Sequence, residues 1–225
     1  MSTRELGIEV EAGLRVSGLL QVPEDARACY VLAHGAGAGM THPFMAAVAQ
    51  GLSERGIASF RYQFPYMERG SRRPDAPRLA HATVRAAVSE AARQLPGLAL
   101  LAGGKSFGGR MTSQAQALSP LPGVRGLIFL GFPLHPAGKP SDERALHLSD
   151  ITVPMLFLQG TRDELAQTDL LRGLAERLGS RVTLRLFEHA DHSFHVPVRS
   201  GRNDSQVMDE LLGCMTGWID AALET

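Results

Sequence analysis

Apolar residues in this chain gather in short unbroken runs, separated by longer stretches in which they recur every third or fourth position. The runs cover residues 29–33 (C-Y-V-L-A), 57–62, 98–102 (L-A-L-L-A), 126–132 (G-L-I-F-L-G-F), 153–159 and 182–187. A run of this kind, with no polar alternation, suits a strand buried on both faces, as in a parallel sheet. Between the runs lie helical stretches. Residues 43–55 place Phe44, Val48 and Leu52 four apart, the mark of an amphipathic helix. Residues 79–95 are alanine-rich and read as helix until Pro96 stops them, and 110–118, 165–178 and 205–223 also read as helices. Residues 8–22 alternate loosely around Ala12-Gly13, which predicts an edge hairpin. The proline- and arginine-rich stretch 63–77 reads as a loop, and 133–150 as polar and irregular. Strands alternating with helices imply an α/β fold, a mainly parallel twisted sheet with helices on both faces.

Composition narrows this little. With 225 residues, 44% of them hydrophobic, and no linker or repeat, one domain over residues 1–225 is expected. Lys+Arg and Asp+Glu number 23 each, so net charge gives no pull toward nucleic acid or an anionic membrane. The arginines at 69–73 are a local cluster. Cys29 and Cys214 offer neither a disulfide framework nor a metal-binding C-x-x-C pair. Residues 1–11 are too polar for a signal peptide, and no apolar run approaches the ~20 residues of a membrane span, so a cytoplasmic setting is expected.

The chemistry concentrates after the 98–102 run. Gly103-Gly104-Lys105-Ser106-Phe107-Gly108-Gly109 contains G-x-S-x-G, lies after a strand and opens a helix. The glycines let a serine sit in a tight turn that lifts its hydroxyl above the sheet and frees the next N–H, that of Phe107. Gly104-Lys105-Ser106 also matches the end of a phosphate-binding loop, but position 99, where that motif needs glycine, is Ala99.

Active-site residues in open parallel sheets collect at the carboxyl ends of strands. After residues 153–159 comes Gly160-Thr161-Arg162-Asp163-Glu164, and after 182–187 comes Glu188-His189-Ala190-Asp191-His192-Ser193-Phe194-His195. The order serine, acid, histidine is that of a nucleophile, its orienting carboxylate and its general base. Ser106, Asp163 and His192 are the candidates, with Glu164 and Asp142 as alternative acids and His189 and His195 as alternative bases. His34-Gly35-Ala36-Gly37 follows the first buried run, where the N–H of Ala36, or of Gly37, could join that of Phe107 as an oxyanion donor. As a dinucleotide fingerprint it fails, since position 40 is Met40.

These features together resemble the α/β-hydrolase superfamily, nearest to its dienelactone-hydrolase-like group. H-G-A-G-A-G-M at 34–40, F-P-Y-M-E at 64–68, G-G-K-S-F-G-G-R at 103–110 and G-F-P-L-H-P at 131–136 are similar to a narrower branch. That branch contains a testis-expressed protein and a histone-acetyltransferase-complex subunit. The resemblance implies a serine hydrolase fold but no particular substrate; the serine, acid and histidine themselves point to a hydrolase acting on a small acyl ester or thioester, with no metal or organic cofactor implied. Dienelactone hydrolase itself uses cysteine, so Ser106 departs from it. The complex-subunit relative suggests a rival, an interaction module without catalysis. Tyr66 and His135 follow strand ends and are candidate substrate contacts, and Arg69, Arg72 or Arg73 could meet an anionic group. Lys105 and Arg110 flank the turn and read either as structural residues or as supports of the catalytic side chains. The segment between Phe132 and Val153 is short for a helical lid, so an open pocket is expected.

Overall fold

The computed structural model describes residues 2–224. Its strands are β1 (Ser2–Glu11), β2 (Leu14–Val22), β3 (Ala28–Ala33), β4 (Ile57–Tyr62), β5 (Ala99–Lys105), β6 (Val124–Leu130), β7 (Met155–Gly160) and β8 (Val182–Phe187). They form one eight-stranded sheet in the order β1-β2-β4-β3-β5-β6-β7-β8. The pairs β1/β2 and β2/β4 are antiparallel, and all pairs from β4 across to β8 are parallel. The expected hairpin forms, with Gly13 at φ 78° in its turn, a backbone state that glycine adopts without strain.

The helices are α1 (Pro43–Ser53), α2 (Pro65–Glu68), α3 (Pro77–Gln94), α4 (Phe107–Leu118), α5 (Thr168–Leu178) and α6 (Asp204–Leu223). Period-two alternation in the buried strands decides which face each helix covers. Cys29, Val31 and Ala33 of β3 and Met155 and Phe157 of β7 point to the side of α3, α4 and α5. Tyr30 and Leu32, with Leu156 and Leu158, point to the side of α1 and α6. Each unbroken apolar run therefore serves two cores at once. The first turn of α6 is closed by a capping box. Asn203 Oδ1 accepts from Gln206 N–H at 2.9 Å, and Gln206 Oε1 accepts from Asn203 N–H at 3.0 Å.

Two stretches expected to lack structure carry short helices. Pro65 opens α2 at its first position, where a fixed φ and a missing N–H cost nothing. Glu143–Asp150 forms a 3-10 helix that buries Ala145 and Leu148. The serine turn also differs from expectation: β5 runs on to Lys105 and α4 begins at Phe107, so the glycine-rich segment is part strand and part helix. Close approach explains the glycines. A Cβ on Gly103 would stand 1.9 Å from Ile128 O, one on Gly104 2.3 Å from Ala33 O, and one on Gly108 2.6 Å from both Ala33 O and His34 O. Any side chain there would wedge β5 or α4 away from its neighbour.

Candidate active site

Strands β5, β7 and β8 run parallel, so the segments after them emerge at one edge of the sheet. Ser106 stands between β5 and α4 at φ 50°, ψ −114°, a strained conformation for a residue with a Cβ. Its N–H donates to Leu130 O at 3.1 Å, which pins the turn to β6. The Ser106 hydroxyl lies 2.9 Å from His192 Nε2, and His192 Nδ1 lies 2.6 Å from Asp163 Oδ2. Asp163 is buried and accepts further bonds from Leu165 N–H at 2.8 Å and from the Gln159 amide. A carboxylate accepting at Nδ1 fixes the imidazole proton there and leaves Nε2 free to accept from the serine.

The alternatives lie apart from this chain. Glu164 is exposed, and Asp142 pairs with Arg177. His189 is exposed at the turn after β8, and His195 Nδ1 meets Asp204 at 2.6 Å. The loop bearing His192 is braced by Asp191, whose Oδ1 accepts from Ser193 N–H at 2.8 Å and from His195 N–H at 3.0 Å.

On the other side of Ser106, the loop after β3 is held by its own His34, by Arg61 of β4 and the adjoining Gln63, and by Tyr66 of α2. His34 is fully buried; its Nδ1 donates to Gly35 O at 2.8 Å and its Nε2 accepts from Phe64 N–H at 3.0 Å. Burial pushes this imidazole down to about 4, so it is neutral at working pH. Gln63 Oε1 accepts from Met40 N–H at 2.8 Å, and Arg61 donates to Met40 O at 3.3 Å. Gly37 N–H donates to Tyr66 Oη at 3.2 Å and is thereby occupied. The N–H groups of Ala36 and Phe107 donate to no protein acceptor among the described residues. A cavity of about 790 Å³ opens beside Ser106, Ala36 and His192, and its far wall is Pro43, Phe44, Ala47 and Met208 from α1 and α6. That volume falls within the usual range for a small-molecule site.

A family model of the alpha/beta hydrolase domain matches residues 26–220. The chain belongs to the α/β-hydrolase family. This hydrolase is similar in fold to a dienelactone hydrolase from Anabaena variabilis, at 20% identity, 98% and 99% of the two chains covered and a TM-score of 0.77. An alpha-beta serine hydrolase homologue from Coxiella burnetii gives 19%, 94% and 96%, and 0.75. XC6422 from Xanthomonas campestris, described as a serine hydrolase without lid, gives 21%, 97% and 95%, and 0.74. Among the described residues no lid domain covers the cavity, and the segment between β6 and β7 carries the 3-10 helix Glu143–Asp150.

Two side chains expected to contact substrate are placed elsewhere. Tyr66 is buried, packed edge-on to Phe107 and bonded to Gly37, so it shapes the loop after β3 instead of the cavity wall. His135 is buried with Nδ1 on Pro136 O at 2.9 Å and Nε2 accepting from Gln167 N–H at 3.3 Å. Both ring nitrogens are spent on the backbone, and neither residue lines the cavity. Arg69 pairs with Asp75 at 2.8 Å, and Arg72 and Arg73 are exposed; none of the three reaches the cavity. Of the two cations flanking the serine, Arg110 lies half-buried with Nε unpartnered, and Lys105 donates to His192 O at 2.6 Å. Of the two expectations for Lys105, a structural role or support of the catalytic side chains, this contact fits the second.

Proposed function

We propose that the hydrolase is a serine esterase or thioesterase that cleaves small acyl substrates through an acyl-enzyme on Ser106. The hydrogen-bonded chain Ser106–His192–Asp163, built on a strained serine beside an open cavity, carries the reading. In this mechanism Ser106 Oγ attacks the acyl carbon while His192 Nε2 takes its proton. Asp163 stabilises the imidazolium, and the N–H groups of Ala36 and Phe107 receive the developing oxyanion. His192 then gives the proton to the leaving alcohol or thiol, and water repeats the sequence to release the acid. No metal or organic cofactor enters any step. The apolar wall formed by Pro43, Phe44, Ala47 and Met208 favours an uncharged acyl group, and the absence of a lid favours one that is small or extended. The reading includes a cytoplasmic setting, in which Cys29 and Cys214 remain thiols.

The rival reading, an interaction module, leaves the three aligned side chains without a purpose. Ser106→Ala and His192→Ala are each expected to lower ester turnover by on the order of 10⁵–10⁶-fold, because such residues act as a unit. A fluorophosphonate should label Ser106 in the folded wild type. Absence of labelling, or wild-type turnover by Ser106→Ala, rules the mechanism out. An ester and thioester panel graded by acyl length and charge then assigns the substrate class.

A further inference from the structure

Lys105 is the last residue of β5 and immediately precedes the nucleophile. Its stem lines the cavity beside Ser106, but its ammonium turns under the loop after β8 and donates to His192 O at 2.6 Å. The Phe194 ring closes the site from another side, with its centroid 5.8 Å from Nζ. Space for the ammonium exists because residue 131 is glycine. A Cβ there would stand 2.9 Å from Nζ and 3.4 Å from His192 Cε1. The ammonium and the imidazole are therefore within about 6 Å, close enough for one charge to influence the other.

A lysine normally keeps its charge in water, since enclosing it is costly. Here desolvation lowers the ammonium to about 8, against the opposing pull of Asp163 and Asp191, which with His192 are the titratable groups around it. The segment it holds needs restraint. His189 and Phe194 both adopt positive φ, at 63° and 66°, without being glycine. The remaining ties of this loop run within itself, to the segment after β7, through Thr161 N–H to Phe187 O at 3.0 Å, Arg162 N–H to Ala190 O at 2.9 Å and the His192–Asp163 bond, and to the start of α6, where His195 Nδ1 meets Asp204 at 2.6 Å. Besides the imidazole's own bond to Ser106, the Lys105 contact is the polar tie to β5 among the described residues. Adjacent residues thus hold both ends of one histidine, Ser106 its ring and Lys105 its main chain.

We propose that Lys105 is a positioning residue of the hydrolytic reaction, its ammonium fixing the His192 main chain relative to the Ser106 hydroxyl. The inference rests on the Ser106–His192–Asp163 reading above.

The test uses Lys105→Met, which keeps the apolar stem, and Lys105→Cys before and after alkylation with 2-bromoethylamine, which rebuilds a lysine-like ammonium. Wild type treated in the same way controls for Cys29 and Cys214. Lys105→Met should lower kcat by about 10- to 100-fold, the scale of a misplacement near 1 Å, with KM within about twofold. Alkylation of Lys105→Cys should restore kcat. Wild-type kcat in Lys105→Met overturns the proposal. So does a lowered kcat with no recovery on alkylation, or a KM changed as much as kcat, which marks a merely structural residue. If Lys105→Met does not fold, the alkylated and unalkylated Cys proteins decide. Ser106→Ala separates the two levels: turnover in that variant removes the underlying mechanism, whereas an inactive Ser106→Ala beside a fully active Lys105→Met removes only the role of Lys105.

Discussion

Replacing Gly108 by alanine sets local propensity against close packing. Gly108 lies in the first turn of α4, and on propensity alone alanine would stabilise a helix by about 0.8–1 kcal/mol. In this fold, however, the new Cβ would stand 2.6 Å from both Ala33 O and His34 O. Both contacts are backbone atoms, one in β3 and one in the loop after it, so no rotamer change relieves them. The helix start must retreat on the order of 0.5 Å before ordinary contact distances return. Overpacking of this kind costs about 1–3 kcal/mol, so the net effect should be a loss of up to about 2 kcal/mol. The retreat also separates Phe107 N–H from Ala36 N–H, the two donors assigned to the oxyanion. A fall in kcat of about 10- to 100-fold should follow, with a smaller change in KM. Urea denaturation followed by circular dichroism measures the first effect, and p-nitrophenyl acetate hydrolysis the second. A Gly108→Ala protein more stable than wild type and equally active would refute the reasoning.

Further outcomes follow from the same geometry. Asp163→Asn can keep its amide oxygen toward His192 and Gln159 only by setting its NH2 group against Leu165 N–H, donor against donor, so it loses the charge and one buried hydrogen bond. At an effective dielectric near 20 that charge is worth about 4 kcal/mol at ~4 Å, or roughly 10³ in kcat. Ester turnover by Asp163→Asn within tenfold of wild type would contradict the assignment. His34 is held down to about 4 against an ordinary 6.5, so the unfolded chain binds a proton that the folded chain refuses. Its contribution is complete above pH 6.5 and declines as pH falls toward 4, by about 3 kcal/mol in all. Urea midpoints between these limits should fall with acid, and less steeply in His34→Gln; an equal slope in the variant would discount His34.

The sheet and the serine, acid and histidine candidates were legible because both depend on patterns local in sequence. Runs such as residues 126–132 show two-sided burial directly, and Ser106, Asp163 and His192 each follow such a run. Partnerships across loops were not legible. The sequence places Tyr66 and His135 near strand ends but cannot show that their polar atoms are consumed by Gly37, Pro136 and Gln167. Lys105 looks like any cation beside a turn until Gly131 and Phe194 are seen to enclose it. Choosing between the N–H groups of Ala36 and Gly37 likewise required a tyrosine supplied by a different segment. The helix start at Phe107 was placed late because glycine is a poor helix former, whereas here contact with β3 and β5 selects it.

Strand β8 borders only β7, and its residues are mostly half-buried where those of β7 are buried throughout. The proposed base, His192, is therefore carried by the margin of the sheet, and the proposed nucleophile, Ser106, by its middle. Warming should fray that margin before the centre melts, so hydrolytic competence would vanish while most of the molecule is still folded. Storage life would then be set by one peripheral ribbon, and reinforcing the β7–β8 seam would lengthen it more than any repair at the middle.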